Sequence, residues 1–172
     1  QLGGRARTVV VDDRVLDNGQ HVLIGAYREF LALLAEVGVG ADALLRMPLQ
    51  WTVLPGFSMR AARLPAPWHL AAGLLRAKGL APAARIACVQ FVAWAQRVRF
   101  RLQQDATVAD LMRDHRQHAD AVRYLWEPLC VAALNTPLAQ ASAQVFLNVL
   151  RDGLAAERSA SDLVLPRVGL RA

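Results

Sequence analysis

A single lysine, Lys78, stands among the 20 basic residues of the chain, which outnumber 14 acidic ones for a formal net charge of +6. The positive charge is therefore arginine charge, suited to phosphates, anionic lipid or acidic partners. Aromatic residues are scarce too, at 6%. Arg60, Arg63, Arg76, Arg85, Arg97, Arg99 and Arg101 are scattered over several segments without the aromatic interleaving of a single-strand binding platform, which argues against nucleic acid as a partner. They read as solvated helix faces, with a membrane-surface role as the alternative. Cysteine is limited to Cys88 and Cys130, both in apolar helical patterns with no CxxC spacing and no signal-peptide pattern. This excludes a disulfide framework and points to buried thiols in a reducing, cytoplasmic setting. No uncharged apolar run reaches the roughly 18 residues of a spanning helix, because Arg76, Arg85 and Arg97 interrupt the best candidates. Contact with a membrane, if made, is expected to be peripheral, on the inner membrane.

The catalogue of hydrolytic motifs is also empty. There is no Gly-x-Ser-x-Gly, no Walker sequence and no His-Glu-x-x-His, and Ser142, Ser159 and Ser161 have no evident base partner along the chain. What is present is apolar bulk: 55% of the 172 residues are hydrophobic, enough to bury a core without disulfides or metals. No internal repeat or low-complexity linker interrupts it.

Residues Arg7 to Ile24 read as short strands. The β-branched run Thr8–Val11, a turn at Asp12–Asp13 and a return through Arg14–Leu16 predict a hairpin. From Ala26 the apolar spacing becomes helical, through Tyr27, Phe30, Leu31, Leu33 and Leu34, and Gly38 and Gly40 stop the run. Gln50–Leu54, Pro55–Gly56 and Phe57–Arg60 predict a second hairpin set among helices. Helices follow over Trp68–Ala77, ending at Lys78–Gly79, and over Pro82–Arg101, with Ile86, Val89, Phe91, Val92 and Trp94 expected in the core. Thr107 with Asp110 three residues on resembles a capping box for a helix to about His115. Helices are further expected over Ala119–Leu134, terminated by Thr136–Pro137, and over Ala141–Leu150, ending near Gly153. Asp162–Pro166 looks extended and should return to a sheet.

Three motifs bear on chemistry. Gly38-Val39-Gly40-Ala41-Asp42-Ala43 mimics a dinucleotide fingerprint but follows a helical pattern instead of a strand, and so reads as a helix C-cap before a new helix. His115 and His118 share a helix face without the further ligands a metal requires, so they read as exposed polar residues and no metal is expected. Gly3-Gly4-Arg5 carries the strongest local signal, because glycines let a backbone approach a diphosphate and an arginine pairs with its oxygens.

Leu2-Gly3-Gly4-Arg5-Ala6-Arg7-Thr8 resembles the Gly-Gly-Arg-x-x-Ser/Thr motif of the flavin-dependent amine oxidase and phytoene desaturase superfamily. Leu16-Asp17-Asn18-Gly19-Gln20-His21 and Gly25-Ala26-Tyr27-Arg28 look like one branch of it, the squalene-associated FAD-dependent desaturases, or hydroxysqualene dehydroxylases, of hopanoid synthesis. Trp126-Glu127-Pro128-Leu129-Cys130, Ala133-Leu134-Asn135-Thr136-Pro137, Ala141–Phe146 and Ser161-Asp162-Leu163 are similar to the same branch.

The resemblance implies an α+β chain. It would comprise a mostly helical substrate domain with a small mixed or antiparallel sheet, belonging to a Rossmann-type, amine oxidase-like fold whose nucleotide-binding fingerprint is missing here. Residues 1–25 would end the FAD-binding region, residues 26–160 would form the substrate domain with its hairpin near 50–60, and residues 161–172 would return to the sheet or to the FAD domain. The chain begins without methionine and reads as an internal segment, expected to bind FAD weakly or not at all and to be inactive alone.

The implied activity is reductive dehydroxylation of hydroxysqualene to squalene, with an apolar isoprenoid as substrate. The alternatives are a carotenoid or phytoene desaturase or an amine oxidase, and, from another class, a non-catalytic helical module for a membrane surface or a partner. Gly3, Gly4 and Arg5 are implied to hold the cofactor's pyrophosphate, with Gly19 and Gln20 beside it. His21 is the candidate acid or hydrogen-bond donor near the flavin, with a loop-ordering role as its alternative. Glu127 is a second candidate acid, with a helix-terminal role before Pro128 as its alternative, and Asp17 shapes the loop.

Overall fold

The computed structural model describes residues 7–18, 22–155 and 157–167 and shows an α+β chain of helices and small antiparallel sheets. Strands β1 (Arg7–Val11) and β2 (Arg14–Asn18) form the expected first hairpin, with Val11 opposite Arg14 and Arg7 opposite Asn18. Its two-residue turn places Asp12 and Asp13 at φ of 48° and 59°. Such turns favour left-handed residues, and aspartate tolerates that conformation better than most. Strand β3 (Leu23–Ile24) leads into helix α1 (Arg28–Glu36), which stops at Gly38, where φ is 85°.

No α-helix starts directly after Gly38. A single 3-10 turn at Ala41–Ala43 passes directly into strand β4 (Leu44–Met47). The reading of Gly38 as a helix C-cap is therefore correct, and the expected new helix is corrected to a turn and a strand. Strand β7 (Leu163–Pro166) lies between β3 and β4 and pairs antiparallel with both, Leu163 facing Ile24 on one side and Met47 on the other. The extended return expected of Asp162–Pro166 is thus the central strand of this sheet.

The third sheet is the hairpin of β5 (Gln50–Val53) and β6 (Phe57–Arg60), turned by Leu54-Pro55-Gly56 as expected. Helix α2 (Trp68–Leu75) runs back along β6: His69 O accepts from Ala62 N, and Lys78 and Ser58 exchange backbone bonds. At the end of α2, Gly79 has φ of 84° and lies so close to Gly56 O that no Cβ fits between them.

Helix α3 (Pro82–Arg97) is shorter than expected, because Arg99 and Phe100 turn to positive φ and Phe100 N bonds back to Ala95 O. Its buried side is Ala84, Cys88, Phe91 and Ala95, whereas Ile86 is half exposed and does not join the core. Helix α4 (Val108–Asp114) carries the expected cap, with Thr107 Oγ1 accepting from Asp110 N.

The next helical run is continuous from Ala119 to Leu134 but not uniform. Helix α5 (Ala119–Ala121) widens into a π turn over Val122–Trp126 and resumes as α6 (Glu127–Leu134). Pro128 explains the widening, since it has no N–H to give to the carbonyl four residues back, and its ring crowds that carbonyl. The carbonyl in question, Tyr124 O, accepts instead from Trp51 Nε1 on the hairpin at 3.2 Å. The helix ends at Asn135, which adopts φ of 50°. Helix α7 (Ala143–Leu150) is capped by Ser142 Oγ accepting from Val145 N and continues into a second π turn, Arg151–Ala155.

The core gathers around Trp126, Phe91 and Phe146. Trp126 meets the Phe91 ring edge-on at 5.1 Å between centroids and the Phe146 ring at 6.4 Å, and its Nε1 donates to Gln117 Oε1 at 2.8 Å. Cys88 and Cys130 are buried free thiols, as expected. Burial pushes the Cys88 thiol up to about 12, so it stays protonated and unreactive at neutral pH.

Candidate functional site

The packing of α2, the β5–β6 hairpin, the run from Leu125 to Ala133 and α7 leaves a cavity of about 570 Å³. Each wall contributes apolar atoms for a local reason. Alternation on the hairpin turns Trp51 and Met59 inward, and helical spacing brings Leu70 and Leu74 of α2, and Val145 and Val149 of α7, to the same space. Ile24 and Leu163, paired across the β3–β7 sheet, close one side. The volume lies within the range of small-molecule pockets, roughly 300–1,000 Å³, which are typically apolar with a few placed polar groups. Here those groups are Ser161, Asn148 and Asp152, with Tyr27 on the rim.

Ser161 is part of a buried polar pair. His69, on α2 and fully buried, lies with Nε2 3.1 Å from Ser161 Oγ, and the Ser161 hydroxyl donates to Arg158 O at 2.9 Å. With the serine proton committed to that carbonyl, the remaining bond requires His69 Nε2 to carry a hydrogen and donate it. The pair therefore runs opposite to a nucleophile and its base. Ser161 thus has a histidine beside it that serves as donor and not as base, and a hydrolytic reading stays unsupported. His69 Nδ1 is buried with no partner among the described residues. Burial, and then the positive charge of Arg158, hold the His69 ring below its usual 6.5, against the opposing pull of Asp162.

His115 is likewise not the exposed residue expected. It is half-buried against the Trp94 ring at 3.8 Å and the Phe91 ring at 5.3 Å, and burial holds it below 6.5 against the pull of Asp114. His118 is exposed, and no cluster of three or more metal-ligating side chains occurs among the described residues. A histidine whose folded pKa lies below its unfolded value stabilises the fold fully above that unfolded value and progressively less as pH falls through it. The urea midpoint is accordingly expected to drop between about pH 7.5 and about pH 5.5. A flat midpoint over this window would refute the neutral, buried state of His69 and His115.

Of the candidate site residues, Gly3, Gly4, Arg5, Gly19, Gln20 and His21 lie outside the described residues. Glu127 is exposed on the continuous helical run and is not among the side chains lining the cavity. It opens α6 directly after the π turn, with Pro128 in the same first turn, which agrees with the helix-terminal role before Pro128. The polar residues that do reach the cavity, Ser161, Asn148 and Asp152, carry no local motif. Ser161 and its partner His69 are 92 positions apart in the chain.

The cavity fits an apolar molecule and does not fit a dinucleotide. The one carboxylate on its lining among the described residues, Asp152, would repel a diphosphate, and the arginine beside it, Arg151, is held in an ion pair with it. No helix among the described residues is long and apolar enough to cross a membrane. A family model described as flavin containing amine oxidoreductase matches residues 1–170 of the chain. A search of curated proteins finds no match to it.

Proposed function

The chain belongs to the flavin-containing amine oxidoreductase family, and from that premise we propose that its apolar cavity holds an isoprenoid alcohol, hydroxysqualene, for reductive dehydroxylation to squalene with FAD as cofactor. The carrying observation is the cavity lining, almost wholly hydrocarbon from several separate elements, with a few polar groups only. A long hydrocarbon would be desolvated by nearly the whole of this lining, while Ser161, Asn148 and Asp152 leave room for one polar group.

In the proposed reaction the allylic C–O bond breaks as the hydroxyl takes up a proton and leaves as water, and a hydride forms the new C–H bond. Reduced flavin, when bound, supplies that hydride. The chain's own part is to exclude water from the developing allylic cation and to hold the hydrocarbon extended, which Trp51, Leu70, Leu74 and Leu129 do by surrounding it with apolar surface. His21 remains the proposed proton donor, with Gly3, Gly4, Arg5, Gly19 and Gln20 proposed at the cofactor.

The test is product analysis on the flavin-loaded protein offered hydroxysqualene or phytoene. Squalene from the first is expected, and desaturated product from the second alone would overturn the reading in favour of a desaturase. Ala133→Trp, which adds bulk at the exposed edge of the cavity, is expected to lower kcat/KM about tenfold or more with the flavin absorbance unchanged.

A further inference from the structure

We propose that the outer face of α2, with the neighbouring tip of the β5–β6 hairpin, docks on an anionic phospholipid surface. The inner face of α2 is occupied, since Leu70 and Leu74 are buried and line the cavity. Its outer face is apolar and is not covered by the described residues. Trp68 and Leu75 lie seven positions apart, hence on one stripe of the helix, and are 66% and 48% exposed. Leu64 in the approach to α2 and Leu54 at the hairpin tip are also exposed, the latter at 86%. The tip belongs to the same end of the structure as the close of α2, because Gly79 packs on Gly56 and Lys78 pairs with Ser58.

Charge identifies the occupant. From position 43 to position 104 the sequence holds nine arginines and lysines and no aspartate or glutamate. These 62 residues are the ones that build β4, the β5–β6 hairpin, α2 and α3. Arg60, Arg63, Arg76 and Lys78 around the apolar stripe are exposed, and the ion pairs found among the described residues involve none of them. Arg85 donates to Leu75 O and Leu80 O, placing a further cation at the negative C-terminal end of α2. The segment that builds the face therefore brings no carboxylate of its own to repel a lipid phosphate.

An exposed indole and one exposed leucine on a short helix, with Leu64 and Leu54 beside it and cations in the same segment, match an element that lies in the headgroup boundary without crossing it. A nucleic-acid platform would need several stackable rings, and this face offers one. The surface stands whichever substrate fills the cavity.

Sedimentation of the flavin-loaded protein with phosphatidylcholine vesicles, with and without phosphatidylglycerol, tests the proposal. Binding is expected only to the phosphatidylglycerol-containing vesicles and should weaken as salt is added. Of the four tryptophans, Trp68 alone is exposed, so brominated lipid should quench its emission in the bound state. Trp68→Ala is expected to weaken binding about tenfold, and the combined Arg63→Gln, Arg76→Gln and Lys78→Gln about a hundredfold. These side chains are all exposed, and near-ultraviolet circular dichroism identical to the parent would verify that the variants fold. Three results would each overturn the proposal. The first is absence of vesicle binding, and the second is binding indifferent to both sets of substitutions. The third is a self-associated species that Trp68→Ala disperses without any vesicle binding, which would assign the face to a second copy of the chain.

Discussion

Trp126→Ala is expected to lower the stability of the protein by about 3–5 kcal/mol, the range for removing a buried tryptophan. Trp126 is 2% exposed and joins three parts of the core, since it touches Phe91 on α3 and Phe146 on α7 from its own place in the π turn. Truncation leaves a void that these rings cannot both move to fill, because Phe91 is also held against Trp94 and His115. It also leaves Gln117 Oε1 without its donor, while the same amide remains fixed by Nε2 bonds to Ala87 O and His115 O. A domain of this size has roughly 5–15 kcal/mol in total, so much of the margin disappears. Urea denaturation measures the loss, and Trp126→Phe separates its parts. Phenylalanine keeps one ring of apolar contact and removes the indole N–H with the second ring, so it should cost about 1–3 kcal/mol. Equal losses in the two variants would show that the remaining phenyl contact contributes nothing.

Gly25→Ala is expected to cost about 3 kcal/mol, the upper part of the range for overpacking. A Cβ on Gly25 would overlap Ser159 O, a backbone atom that no side-chain rotation can remove. Gly25 N donates to Asp162 O and Ala26 N to Ala160 O, so the same substitution pushes β3 away from the segment that leads into β7. Ile24, Ala26, Ser161 and Leu163 all line the cavity. The expected signature is thus twofold: a lower urea midpoint, and amide exchange faster than in the parent at position 25 and Ala26 but unchanged in the distant α3 helix. Uniform exchange across both regions would show that the strain spreads and is not confined to this wall.

Local signals in the sequence are sufficient where the structure is decided locally. Thr107 and Asp110 are three residues apart and cap one helix, and Pro55–Gly56 between two β-prone runs makes one hairpin. Strand β4 is not legible, because Leu44-Leu45-Arg46-Met47 has no β-branched residue and is extended only because β7 pairs with it. Ile86 lies outside the core for a related reason: α3 buries the alanines and Cys88 beside Phe91, so small residues, not the bulkiest ones, define its packed face. The His69–Ser161 pair cannot be read from either residue, since a single histidine in an apolar run has no neighbour in sequence to explain it. The apolar chamber is legible in kind from the alanine- and leucine-rich helices, while its walls depend on contacts between elements distant in sequence. The motif residues from Gly3 to Arg5 and from Gly19 to His21 carry the resemblance, and they lie outside the described residues.

The central position of β7 sets the order in which this protein can be completed during synthesis. Until Leu163–Pro166 has left the ribosome, β3 and β4 have no strand between them, and each is an unpaired edge. Closing that sheet joins Ile24 to Leu163 across nearly the whole described chain, a contact of high sequence separation that forms slowly. The helical run, α3 and the hairpin can pack earlier from nearby contacts, leaving the chamber open on its Ile24–Leu163 side. A nascent chain in that state would present its hydrocarbon lining to the cell, and β7 is what withdraws it.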